Sequence, residues 1–483
     1  MSAPQDTRNP SANPSLVPEG QALRCATMVP APFEAAARYA IEMLLLPLHL
    51  APHWVEVTDA DLDLAYVVEP EAAIDATVVL RGQPETWAYF AKHEPYSEAP
   101  LGWVEHGGDR APVLFAQADG EAPDWVACAF FWLAGWQEHV IAARDEHDRF
   151  PYAASYQARW GTVRVPVVDV YRALWQTELE AAGLPVQPRQ WDGREWALAS
   201  THDIDYVRKW RPGIVYRESV EYLLLNHREV SLPERLRRFG QAMRMATTQP
   251  DPCRTALFRI AEEVKQRGGT ATYYLKAAAR HDRDVGYRLP PLRRFLQHLL
   301  ADGFEVGLHP SYLSHTDAAF VEEEKARLEA VLEAPLTSIR QHYLRYDPRR
   351  TPAMQAATGF RIDSTLGFAR HEGFRHGTCQ PFRLFDVEQM APLDLWELPL
   401  CLMEGTLFVL RELSAPDAWA ATKHLLETVQ RYRGVAVMLW HNDLWDDLDF
   451  PEWGPHFLRT LDYACDQRAR LECNVQLLRS WKT

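Results

Sequence analysis

The sequence has few cysteines, no block of positive charge and no long apolar run. Its seven cysteines (Cys25, Cys128, Cys253, Cys379, Cys401, Cys465 and Cys473) are scattered over 483 residues without a CxxC pair. Neither a disulfide framework nor a cysteine zinc knuckle is expected, and the pattern suits a reducing compartment. Lysine and arginine number 51 against 66 acidic residues, a formal charge of −15, with no long basic stretch. That balance argues against nucleic acid or an anionic membrane surface as the main partner. The most apolar early segment, residues 41–50, contains Pro47 and His49 and falls well short of the ~20 apolar residues of a membrane span. No basic segment followed by an apolar one opens the chain, so a secretory signal is not expected and a cytoplasmic location is.

Core-forming residues are plentiful. Hydrophobic side chains make up 47% of the sequence and 17 residues are tryptophan, which excludes global disorder. Residues 1–22, rich in Pro, Ser and Asn, predict a disordered tail. Residues 23–190 predict a smaller α/β accessory domain and connector. In it, helical patterns cover 31–46, 125–143 and 167–182, strand-like runs cover 76–80, 113–116 and 163–165, and the segment PVQPRQWDGRE closes it. The stretch 125–143 is apolar nearly all round and reads as a buried helix.

From about residue 191 the rhythm becomes strand, loop, helix, repeated to the end. Strands are expected at 196–200, 271–275, 304–308, 336–344, 360–363, 395–400 and 435–440. Helices are expected at 254–267, 292–300, 318–332, 415–433 and 455–469. Such alternation predicts an α/β fold with an incomplete barrel of parallel strands over 191–483. Residues 211–252 break the rhythm and predict a helical insertion.

Polar residues able to do chemistry recur at the C-terminal ends of these strands, where α/β barrels build active sites. Asp203 and Asp205 follow the first strand, His309 the third and His441 the last; Arg340 and His342 lie in the fourth, and Asp363 ends the fifth. With a side-chain period of two, Asp203 and Asp205 share a face, as do Arg340 and His342. A hydrolytic metal site needs carboxylate and imidazole ligands and an open position for water. Asp205 and His309 supply one of each, Asp203 suits a general base, His441 a general acid and Arg340 a brace for the base. Each residue alone also has an ordinary reading: a DxD loop, a core histidine, a turn-capping His441. The recurrence is what points to a site.

In order and spacing the motifs THDID, EVGLHPSY, SIRQHYLRYD, GFRIDSTLGF, GFRHGTCQPF, ELPL and VMLWHND resemble the polysaccharide deacetylase superfamily, also called NodB homology or carbohydrate esterase family 4. They are most similar to a branch with an extra N-terminal α/β domain, whose end the segment from FFWLAGWQEHV to VDVYRALW resembles. The resemblance implies a distorted (β/α)7-type barrel with one divalent metal, zinc by preference with manganese, cobalt or nickel as alternatives. The implied activity is removal of N- or O-linked acetyl groups from a carbohydrate or glycoconjugate precursor. It assigns Asp203, Arg340 and His441 as catalytic and Asp205 and His309 as metal ligands. The family's second metal histidine lies four residues after the first, and here that position is Leu313. His342, His315 and His202 are the candidates for the third ligand, with His342 favoured.

Tyr343, Leu439 and Trp440 are expected at the substrate, Leu439 matching the family's contact with the acetyl methyl; Trp445 is a further stacking candidate. The backbone N–H near Tyr343 is expected to hold the oxyanion. Cys379 is expected to be a buried small residue, and the run DEHDRF at 145–150 a salt-bridged turn at a domain junction. A small-molecule or glycan substrate is expected, and the negative charge favours a neutral one. Two other functions fit the same residues: hydrolysis of a non-sugar C–N bond of the cyclic amide type, and a non-catalytic barrel acting in binding or assembly.

Overall fold

The computed structural model describes residues 16, 19–69, 73–120, 122–225, 230–278 and 286–482. The expected tail falls mostly outside them, and its last residues, Gln21 and Ala22, already belong to the first strand. Strands β1 (Gln21–Met28), β2 (Leu50–Trp54), β3 (Leu62–Val67) and β4 (Ala76–Arg81) form a parallel sheet in the order β2-β1-β3-β4. The helix Glu34–Leu45 connects the first two and buries Ala36, Ala37, Ala40, Ile41 and Leu44, the spacing of one helical face. A hairpin of β5 (Gly102–His106) and β6 (Asp109–Val113) follows. Only Val113 of the strand expected at 113–116 lies in it.

The apolar stretch from Trp125 is buried along all of Trp125–Leu133. Its N-cap, Asp124, accepts from the Ala127 N–H at 3.0 Å and from the Tyr66 hydroxyl at 2.8 Å. The helix expected to run to 143 breaks at Gly135, whose φ of 63° and contact with the His376 ring leave no room for a Cβ. Trp136–Val140 forms a second short helix. Residues 163–165, expected as a strand, are a turn in which the Val165 N–H donates to the Thr162 carbonyl. The connector ends in β7 (Gln190–Trp191).

The large sheet contains β8 (Ala197–Ile204), β9 (Ala271–Leu275), β10 (Glu305–Leu308), β11 (Ser338–Ile339), β12 (Ile362–Asp363), β13 (Phe382–Asp386), β14 (Ala391–Glu397), β15 (Leu400–Met403), β16 (Val435–Leu439) and β17 (Arg470–Leu471). Their order is β13-β14-β12-β11-β10-β9-β8-β16-β15, with β17 beside β8. All pairings are parallel except that of β13. A final strand, β18 (Trp481–Lys482), pairs with β7, and the Trp191 and Trp481 rings stack at 5.2 Å.

Two expectations change here. The single strand foreseen at 395–400 is two strands, β14, second from one end of the sheet order, and β15, at the other end, joined only by Leu398 and Pro399. At ~3.8 Å per Cα step so short a link holds both ends close together, so the sheet is curled round on itself. The seam is crossed by the chain rather than by a ladder, in keeping with a proline that has no N–H to donate. The fourth strand, foreseen as 336–344, stops at Ile339, so Arg340 and His342 lie beyond it in the mouth. Residues 211–252 hold the helices Pro212–Tyr216 and Leu232–Thr248 and the π-helical Arg217–Leu225. Among the described residues no helix is long and apolar enough to cross a membrane.

Buried polar contacts fasten the N-terminal segment to the curled sheet. Asp169, in the helix Val167–Ala181, accepts from the Cys379 N–H at 2.8 Å and its thiol at 3.2 Å, and pairs with Arg172 at 2.5 Å. Burial, and then Asp169, pushes the Cys379 thiol well above its ordinary value, so it stays a protonated, buried donor. Glu138 and Arg375, each 1% exposed, form a two-point ion pair with contacts of 2.7 and 2.6 Å. Removing one partner strands the other charge in the core. Glu138→Ala is expected to lower unfolding stability by about 3–5 kcal/mol in urea titration.

Candidate active site

The cluster begins on β8, whose residues are all buried. Alternation sends His202 and Asp203 to opposite faces. His202 turns away from the mouth: its ring nitrogens meet the Trp440 carbonyl at 2.9 Å and the Ser200 hydroxyl at 3.0 Å, against Tyr273 and Phe457. It is a satisfied core histidine. Asp203 faces inward, with Asp205 just past the strand end.

His309 follows β10, and its Nδ1 lies 2.7 Å from the Arg340 carbonyl. A carbonyl only accepts, so Nδ1 carries a proton and Nε2 is the nitrogen left to offer a lone pair to a cation. That lone pair faces the carboxylates of Asp205 at 3.5 Å and Asp203 at 3.6 Å. His342 Nε2 lies 3.5 Å from the same Asp205 Oδ1. Ligand atoms of Asp205, His309 and His342 all lie within 4.8 Å of one another. His309 Nε2 and Asp205 Oδ1 are buried without a hydrogen-bond partner. Acceptors converging at these distances repel one another unless a cation sits among them, and a carboxylate with two imidazoles is a donor set that zinc favours. The residues therefore fit the expected metal. Burial alone would raise the Asp205 carboxyl; positive charge at His342 and His309, or at a cation held among the three, outweighs it and holds it well below the usual carboxylate range.

His342 reaches this position through an unusual turn. Past β11 the backbone enters the left-handed region at Tyr343 (φ 60°) and Leu344 (φ 54°), a conformation that costs non-glycine residues roughly 1–2 kcal/mol each. Packing from elsewhere holds it: Arg149 donates to the Tyr343 carbonyl at 2.9 Å, and Arg345 donates to the carbonyls of His147 and Tyr312. His315, another candidate ligand, is not in the cluster; its Nε2 lies 3.6 Å from Asp148.

Arg340, fully buried, lies with its Nη1 3.3 Å from Asp203 Oδ1. Its guanidinium also donates to the Ser364 carbonyl and hydroxyl and to the Thr201 hydroxyl, at 2.7–2.8 Å, and covers the Tyr274 ring at 4.6 Å. His441 lies across the mouth, its Nε2 4.0 Å from Asp205 Oδ2. Its Nδ1 lies 2.5 Å from Glu404, which also accepts the His441 backbone N–H at 2.9 Å. Burial disfavours the charged imidazole, but Glu404 and then Asp205 and Asp203 outweigh it and raise His441 well above 6.5. Sequence reasoning missed Glu404. Its signal was the break in the run ELPLCLMEG, which ends β15 one residue before it. Asp363 ends β12 beside Glu397 in register and does not line the mouth with the others; burial pushes its carboxyl up.

These groups open into a cavity of about 390 Å³ lined by Asp203, Asp205, His309, His342 and His441, with Tyr343 and Leu439 on its wall. Trp440 does not line it. The next residue along the strand after Leu439, it points the other way and stacks on His456 at 5.8 Å and against Phe457. Trp445 is likewise outside the lining and carries Arg259 over its ring. The DEHDRF run does hold the expected ion pair, Asp145 to Arg149 at 2.8 Å. Beyond that expectation, Glu146, His147 and Arg149 line the cavity.

A model of a family of unknown function (DUF7033) matches residues 87–183, which include Glu138 and the DEHDRF run. No curated protein matches the sequence. Among solved structures, the chain is similar to a putative polysaccharide deacetylase from Mycobacterium smegmatis, at 15% identity and TM-score 0.40 over 59% of this chain and 90% of that one. It is also similar to a mutant of the peptidoglycan deacetylase PdaC from Bacillus subtilis, at 12% identity and TM-score 0.28 over 59% and 91%. A third is a CE4 family pseudoenzyme from Bacillus anthracis, at 12% identity and TM-score 0.27 over 61% and 69%. Likenesses of this degree do not bear on activity, and the functional reading rests on the site itself.

The donor set makes a direct prediction. Purified protein supplemented with zinc should hold close to one equivalent by elemental analysis. His309→Ala and His342→Ala should fall to roughly a tenth of that or less, while His315→Ala keeps it.

Proposed function

We propose that the chain is a metal-dependent hydrolase that removes acetyl groups, N- or O-linked, from a carbohydrate or glycoconjugate precursor. The observation that carries this reading is the convergence of Asp205, His309 and His342 on one point, with Asp203 and His441 flanking it in a single cavity. A divalent ion held by those three side chains, zinc by the donor set, would supply Lewis acidity, polarising the acetyl carbonyl and lowering the pKa of water. The chain's own residues do the rest. Asp203, steadied by Arg340, takes the proton of the attacking water. The backbone N–H at Tyr343 is assigned to the developing oxyanion. His441, kept protonated by Glu404, gives its proton to the departing amine or alcohol. Leu439, buried on the cavity wall, offers the acetyl methyl an apolar contact.

His342 beside Asp205 and His309 supports a complete donor set despite Leu313, and so favours an enzyme over a non-catalytic barrel. All seven cysteines are unpaired, which supports a reducing, cytoplasmic setting. In that setting the substrate is a precursor of a surface glycan or a small glycoconjugate rather than a finished wall polymer.

Asp203→Asn should lower kcat by about 10²–10⁴-fold on an acetylated amino sugar while zinc stays bound; full activity would contradict the assignment. Turnover of cyclic amides in place of acetylated sugars, in a parallel screen, would move the chemistry to non-sugar C–N bonds. The acid must carry its proton to work, and a raised value keeps that proton to higher pH. Glu404→Gln should therefore shift the alkaline limb of the kcat profile to lower pH, toward the ordinary histidine value of 6.5.

A further inference from the structure

A larger cavity, of about 640 Å³, adjoins the catalytic one, and Tyr206 lines both. Four arginines line it: Arg208, Arg211, Arg254 and Arg288. Among the described residues its one acid is Asp251, whose carboxylate is already engaged: it accepts from the backbone N–H of Lys209, at 2.9 and 3.0 Å, and of Cys253 at 3.1 Å, capping the helix Pro252–Gln266. Among the described residues none of the four guanidinium groups makes a hydrogen bond or ion pair. Arg211 instead lies 3.3 Å from the centroid of the Tyr206 ring, the residue shared with the catalytic cavity.

Such a grouping runs against the chain's average. The net charge is −15, yet here Arg208, Arg254 and Arg288, all exposed, and the half-buried Arg211 share one concavity. Unpaired arginines gathered around one concavity repel one another, and an anion relieves that repulsion. The forked guanidinium matches phosphate oxygens two at a time.

We infer that this cavity is an anion subsite taking a phosphate or diphosphate group on the substrate, whose acetylated sugar occupies the neighbouring catalytic cavity. The inference rests on the hydrolase reading for the sugar, but the anion site itself can be tested apart from turnover. It also replaces the neutral substrate expected from overall charge with a sugar phosphate ester, either a nucleoside-diphosphate sugar or a lipid-diphosphate sugar.

Inorganic pyrophosphate titrated calorimetrically into the full chain should bind saturably, and more weakly as salt rises. The Arg208→Ala/Arg254→Ala double variant should bind it at least tenfold more weakly. Both side chains are exposed and unbonded, so the fold should be retained; Arg244→Ala, on the exposed helix Leu232–Thr248, is the control and should bind as the parent does. Equal binding by the parent and the double variant, or no saturable binding, would overturn the subsite. For turnover, a free N-acetylated hexosamine is compared with its nucleoside-diphosphate and short-chain polyprenyl-diphosphate esters. At least one ester should show a kcat/KM tenfold or more above the free sugar, and the double variant should erase the difference; which ester gains identifies the source. Equal kcat/KM for all three in the parent overturns the substrate role. Turnover of none overturns the hydrolase reading, and the pyrophosphate titration then decides the anion site by itself.

Discussion

The site depends on where Arg340 is held. Its guanidinium is gripped from Ser364 and Thr201 and lies over Tyr274, so the charge is placed on Asp203 with little freedom. Its carbonyl, pointing the other way, takes the Nδ1 proton of His309 and so fixes which nitrogen faces Asp205. One residue thus sets both the position of Asp203 and the tautomer of His309. Because its charge is buried, it calls for an acidic side chain close by, and the same contact brings Asp203 to the mouth.

On this frame the two sides of the cavity acquire opposite proton habits. Asp205 is held ionised by the histidines around it, while His441 is held protonated by Glu404. Separated in this way, an ionised carboxylate and an imidazolium can stand in one cavity at the same pH. The left-handed turn at Tyr343 and Leu344 completes the arrangement by bringing His342 to the cluster, and the loop at 145–149 is one of the braces that keep it there. The N-terminal segment therefore contributes directly to the mouth of the sheet.

Much of this was legible in the sequence because it follows from period and position. The strands at 271–275 and 435–439 and the helix at 318–332 fall where apolar periodicity puts them. Asp203, Asp205, His309 and His441 could be found because strand ends are where such sheets expose chemistry. What escaped was set by long-range packing. The break between β14 and β15 carries no local signal beyond Pro399, and without it Glu404 cannot be seen to face His441. Trp440 was misplaced for a simple reason: it is next to Leu439, and neighbours on a strand cannot share a face. Nor does composition reveal that an acidic chain gathers Arg208, Arg211, Arg254 and Arg288 round one cavity, since these residues come from three separate segments.

The central claim is that Asp205, His309 and His342 together hold one metal ion at the cavity floor. Anomalous diffraction at the zinc edge, from crystals of the full chain grown with zinc, tests it most directly. The account predicts one strong peak within bonding distance of all three side chains. No peak there, or a peak at His315 and Asp148 instead, would contradict it.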